Sequence, residues 1–106
     1  MENDYWLNRI RTEVMPVLQE KIGIEKVFLF GSRAKGGYQE DSDIDLIIIS
    51  HKFENIPVLK RMTTVLKLLR FPKHLDILCY TPKEFEEIQK TSAIVRDAMI
   101  NSYTVT

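Results

Sequence analysis

Along the first part of the chain, apolar side chains return every fourth position. Trp6, Ile10, Val14, Leu18 and Ile22 line one face of a helix predicted over residues 4–22. Pro16 falls inside that run and removes a backbone donor, so a kink or a restart is expected there, and Gly23 supplies the stop. The pattern then changes. "KVFLF" (26–30) and "DIDLIIIS" (43–50) are short and apolar on both faces, as central buried strands are. Residues 56–70 return to the helical period, with Lys60, Thr64 and Lys67 along one polar stripe. "HLDILCY" (74–80) reads as a third strand. Thr81, Pro82 and Glu84 occupy the cap, first-turn and capping-box positions of a helix through "TPKEFEEIQK", and Ser92 caps another through Ile100. With a short helical turn after Ser32, the order is α-β-(short α)-β-α-β-α-α. The expected class is α/β, one domain over residues 1–106, with a three-stranded or slightly larger sheet flanked by helices.

One stretch interrupts this pattern. In "FGSRAKGGYQEDSDIDL" an apolar strand stops at Gly31-Ser32, and ten residues later Asp43 and Asp45 open the next strand. Alternation puts both carboxylates on one face, where they repel each other, and leaving both ionised beside an apolar sheet is costly without a cation. Mg²⁺ suits such a place, since it takes one or two carboxylates and completes its shell with water and phosphate oxygens. Asp76, expected in the middle of the third strand, supplies a third acid if strands two and three are neighbours, enough to surround a pair of metal ions. Gly31 lets the backbone turn and approach a ligand closely, while Ser32 opens a turn whose hydroxyl and N–H groups face outward for phosphate. Arg33 and Lys35 add positive charge beside it, and Gly36-Gly37 ends the turn. This is not a P-loop, because no Lys-Ser/Thr follows the glycines. Each part alone is unspecific; the conjunction at one end of a sheet is what carries weight.

Charge and length narrow the partners. Fifteen basic residues balance fifteen acidic ones, so no global positive field attracts duplex nucleic acid or a membrane surface. At 106 residues there is no length for the further subdomains that template-directed synthesis needs. No apolar stretch approaches the ~20 residues that span a bilayer. The N-terminus has no apolar signal core, and the single cysteine, Cys79, excludes an internal disulfide, so a cytoplasmic location is expected.

Gly31-Ser32, ten residues, Asp43-x-Asp45 and the distant Asp76 together resemble the signature of the DNA polymerase beta-like nucleotidyltransferase superfamily. The fuller string "FLFGSRAKG…SDIDLIII" is most similar to the minimal nucleotidyltransferases of prokaryotes, and the resemblance runs from the first helix through "TPKEFEEI". It implies that fold, with a small mixed sheet. It also implies two Mg²⁺ ions on Asp43, Asp45 and Asp76, with Asp76 the base for an acceptor hydroxyl, and ATP as donor with its phosphates at Gly31 and Ser32 beside Arg33. Minimal members are commonly encoded beside a helical HEPN-type protein. The implied function is therefore an antitoxin that transfers AMP to a toxin tyrosine (AMPylation). Two alternatives stand beside it: a non-catalytic binding module that covers its partner, and a homodimer that modifies a small molecule of the aminoglycoside kind. Base preference has no signature in the sequence.

The remaining chemistry-bearing residues read as structural. Cys79 and Met15, Met62 and Met99 are expected in the core, His51 and the Lys60, Lys67 and Arg70 charges at the surface. His74 shares a face with Asp76. Tyr5 and Trp6 fit either a core cap or a partner surface, and the tail "NSYTVT" gives no clear pattern.

Overall fold

The computed structural model describes residues 5–31 and 43–106. The expected turn at Ser32, Arg33, Lys35 and Gly36-Gly37 lies outside the described residues. In the first helical run, α1 (Tyr5–Arg9) and α2 (Met15–Lys21) are joined by a π-helical segment, Ile10–Val14. Pro16 explains the wider turn. Its ring would press on the carbonyl four residues back in a regular α-ladder, and here the Met15 N–H instead donates to the Ile10 carbonyl, five residues back. The expected irregularity at Pro16 is therefore a π segment that keeps Leu7, Ile10, Val14 and Leu18 on the buried face. Gly23 ends the run at φ +82°, a left-handed conformation that favours glycine, with its N–H donating to the Leu18 carbonyl at 2.8 Å.

Strands β1 (Lys26–Phe30), β2 (Ile44–Ile49) and β3 (Leu75–Tyr80) form one mixed sheet with β4 (Tyr103–Thr104), in the order β3-β2-β1-β4. β1 is antiparallel to both of its neighbours, while β2 and β3 are parallel. That parallel pair needs a crossover, supplied by a 3₁₀ turn (His51–Asn55) and α3 (Val58–Leu68). Helices α4 (Pro82–Thr91) and α5 (Ala93–Ile100) follow β3. α4 begins with the expected capping box: the Glu84 N–H donates to Thr81 Oγ1 at 3.2 Å and the Thr81 N–H to Glu84 Oε1 at 2.8 Å. Ser92 likewise caps α5, accepting from the Val95 N–H at 3.2 Å.

Two findings depart from the sequence pattern. The tail is a strand: β4 pairs with β1, and the Val105 N–H adds a bond to the Val27 carbonyl at 2.9 Å. Met62 is 46% exposed rather than in the core, because Arg61 takes the inward position beside it.

The main core lies between one face of the sheet and α1–α3. Val27, Leu29, Ile44, Leu46, Ile48, Leu75 and Ile77 meet the first helical run, Phe53 and Val65 there. The second face is covered unevenly. Phe85 of α4 stacks on Phe28 at 5.8 Å and meets Tyr80 at 6.0 Å, whereas Asp76 and Leu78 remain exposed. Among the described residues no helix is long and apolar enough to cross a membrane.

Candidate active site

β1 ends where β2 begins, since the two are antiparallel, and β3 begins there too, since it is parallel to β2. The register aligns Phe30 with Asp45 and Asp45 with Asp76. The neighbouring strands that the sequence required are therefore present, with the two acids side by side. β3 starts at Leu75, so Asp76 is its second residue, at the strand's opening end rather than in its middle. Asp43 precedes β2 and is exposed; it is two residues from Asp45 on the same face.

Gly31 closes the site on the β1 side. Its φ is +76°, and an added Cβ would collide with the Asp45 carboxylate, lying 3.1 Å from Cγ and 3.4 Å from the Asp45 Cβ. Only glycine leaves room for that carboxylate against the turn. On the β3 side, the Ile44 N–H donates to the His74 carbonyl at 3.2 Å, which ties the approach to β3 to the start of β2. The His74 side chain lies with Nε2 3.0 Å from Asp76 Oδ1. One ligand-type atom from each of Asp43, His74 and Asp76 falls within 4.8 Å of the others.

The electrostatics follow from this crowding. Burial pushes the Asp45 carboxyl above its ordinary range, and the negative charges of Asp76 and Asp43 push it the same way. A divalent cation would relieve that repulsion. The donor set suits one, and Gly31 itself places no side chain against the Asp45 carboxylate.

Asp43, Asp45, Asp76 and Gly31 are thus brought together. Ser32 and Arg33, expected at the phosphates, fall outside the described residues. His74 joins the acids, and the shared face of alternate strand residues was its signal. Behind it, Trp6 packs edge-on against Phe71 at 5.7 Å, with the Arg9 guanidinium 5.4 Å from each ring. Trp6 thereby braces the segment leading into β3, along which a cleft of about 310 Å³ runs from Leu66 to His74. Cys79 is buried, and burial pushes its thiol up to about 12, which fits inert packing. His51 is exposed and pairs with Glu25.

The sequence pattern did not single out Arg61, although its spacing from Val65 and Leu68 places it on the inward stripe of α3. Its guanidinium is buried and binds both Glu84 oxygens, at 2.5 and 3.2 Å, and the Ile56 and Cys79 carbonyls at 2.9 and 3.4 Å. This pair pins α3, β3 and α4 together away from the acids.

A mixed sheet that gathers carboxylates and a glycine corner at one end defines the class, an α/β nucleotidyl-transfer fold. The chain belongs to the polymerase beta nucleotidyltransferase family, whose model matches residues 12–100. It is 32% identical over 89 residues to a Methanocaldococcus jannaschii protein named "Putative protein adenylyltransferase MJ0141", covering 83% of this chain and 84% of that one. To the "Protein adenylyltransferase MntA" of Thermococcus cleftensis it is 34% identical over 61 residues, 58% of this chain and 52% of the relative. A solved structure titled as a "putative nucleotidyltransferase from Sulfolobus solfataricus" superposes with a TM-score of 0.60 at 28% identity, covering 76% of this chain and 71% of the other. The protein is therefore an enzyme, a nucleotidyltransferase.

Proposed function

We propose that the enzyme transfers AMP from ATP to a hydroxyl on a partner protein, a tyrosine of a helical HEPN-type toxin, and so acts as its antitoxin. The observation that carries the transfer is the side-by-side register of Asp45 and Asp76, with Asp43 beside them and Gly31 fitted against Asp45. A protein acceptor is supported by the names of the two relatives and by the exposure of Asp76, which is about half accessible.

In this reading Asp43, Asp45 and Asp76 hold two Mg²⁺ ions. Once bound, they neutralise charge at the reacting phosphorus and on the leaving pyrophosphate. Gly31 and Ser32 bind the phosphates of ATP, with Arg33 beside them. Asp76 lies at the open end and takes the proton of the acceptor hydroxyl. The acceptor oxygen then bonds to the α-phosphorus, the bond from that phosphorus to the β-phosphate oxygen breaks, and pyrophosphate leaves. The side-by-side register of Asp45 and Asp76 speaks against a purely binding role, since a docking module gains nothing from acids crowded at a sheet end.

The test is incubation of the purified protein with ATP labelled on the α-phosphate, in a lysate of its source cells. An Asp43→Asn/Asp45→Asn variant serves as control. Label on a small protein band, lost with the variant, is the expected outcome. Label confined to small molecules would transfer the assignment to the antibiotic-modifying type of enzyme, and no label from folded protein would leave a binding module.

A further inference from the structure

We infer that the outer edge of β3, with the apolar flank of α3 beside it, pairs with the same edge of a second copy of this chain about a two-fold axis, making one continuous sheet. This pairing stands apart from the proposed transfer reaction and uses none of its acids.

The backbone of β3 leaves groups open to such a strand. Among the described residues only β2 pairs with β3, which ends the order β3-β2-β1-β4. Successive residues of a strand turn their N–H and carbonyl groups to alternate sides. The Ile44 and Ser50 N–H groups donate to the His74 and Tyr80 carbonyls, so Asp76 and Leu78 also face β2, and Leu75, Ile77 and Cys79 face outward. The Cys79 carbonyl accepts from the Arg61 guanidinium at 3.4 Å, in keeping with that direction. Ile77 thus presents both an N–H and a carbonyl to the outer side. An edge of this kind is a template for pairing with another chain.

The side chains decide what kind of partner fits. Val58, Leu59 and Met62 of α3 and Leu78 of β3 are all exposed, Leu59 to 94%, and they line one groove of about 280 Å³ along this edge. Lys60 and Lys67 project from the other flank of α3, as helical spacing requires. A lone extended peptide would satisfy Ile77 but leave Leu59 in water. A partner that covers both must bring a strand and an apolar helix flank together, and a second copy carries that pair. The charges allow the match. With the axis beside Ile77, each Ile77 exchanges both backbone bonds with its counterpart, and Asp76 stands opposite Leu78 rather than another acid.

The experiment is light scattering of the full chain over a concentration series, with hydrogen exchange followed at the Ile77 amide. At about 100 μM, enough to populate a dimer of micromolar Kd, the wild type is expected at twice its 12.4 kDa mass with a slowly exchanging Ile77 amide. Leu59→Glu/Met62→Glu sets like charges across the axis at positions the core does not use. The double variant should dissociate at least about thirtyfold more readily, with faster exchange at Ile77 and an unchanged circular dichroism spectrum. A wild type that stays monomeric overturns the inference and returns the edge to a strand of some other protein. A dimer whose Ile77 amide exchanges freely, or one that survives the double substitution, overturns it too and puts the interface elsewhere.

Discussion

At one end of the sheet's second face Asp45 lies beside Asp76; four residues along the same two strands, Ile49 lies beside Tyr80, and Phe85 packs on the tyrosine ring. The ladder of backbone hydrogen bonds is continuous between them. What differs is cover. α4 lays its aromatic side chain over Phe28 and Tyr80, and Arg61 binds Glu84 to hold that helix in place. Among the described residues no helix covers the acidic end, and Asp43 and Asp76 are exposed there. One end contributes stability through burial, while the other costs stability through repulsion that a ligand can relieve.

The sharpest way to break the acidic end is Gly31→Ala. The added methyl group displaces the Asp45 carboxylate, and a misplacement of about 1 Å at a reacting centre costs on the order of a hundredfold in rate. The proposed AMP transfer from labelled ATP should fall by at least about that factor with an unchanged circular dichroism spectrum; wild-type transfer would show that the contact does not position Asp45.

Arg61→Ala attacks the covered end. It removes four hydrogen bonds at a buried position and leaves Glu84 without its cation, a loss of about 2–3 kcal/mol. The Tm should drop by about 10 °C or more in a thermal scan. The same pair gives the acid limb of stability. Arg61 holds the Glu84 carboxyl below its ordinary range, so the contribution is complete above that range and disappears as pH falls through the lowered value. The wild-type Tm should therefore decline between about pH 5 and about pH 3, and Arg61→Ala should decline less steeply.

Asp45→Asn has the smallest expected effect on stability, and it runs in the opposite direction. Removing a partly buried charge from beside two other acids should raise the Tm of the metal-free protein by about 2–5 °C. A lowered Tm would mean that the carboxylate is held by bonds that repay its burial.

Much of the architecture was legible because its signals are local. The capping box at Thr81–Glu84 is written in four consecutive residues, and the all-apolar run after Asp45 announced a strand buried on both faces. The break at Pro16 was visible, but its form was not, since a kink and a π segment remove the same N–H. β4 was illegible for the opposite reason: two residues carry no period, and its partner β1 lies at the other end of the chain. Arg61 escaped because a charged residue on an inward stripe looks like an imperfection until Glu84 meets it.

By itself the sequence determined the elements, their order and the short list of acids, because propensity, capping and alternation act over a few residues. It also determined that Asp43 and Asp45 share a face, since the strand period is two. Tertiary structure decided the rest. Whether β2 and β3 pair at all, and whether Asp45 meets Asp76 rather than a neighbour one step along, depends on register between segments thirty residues apart in the chain. A one-residue slip would have turned Asp76 to the core face. The fit of Gly31 to Asp45 and the convergence of His74 on Asp43 and Asp76 exist only once that register is set.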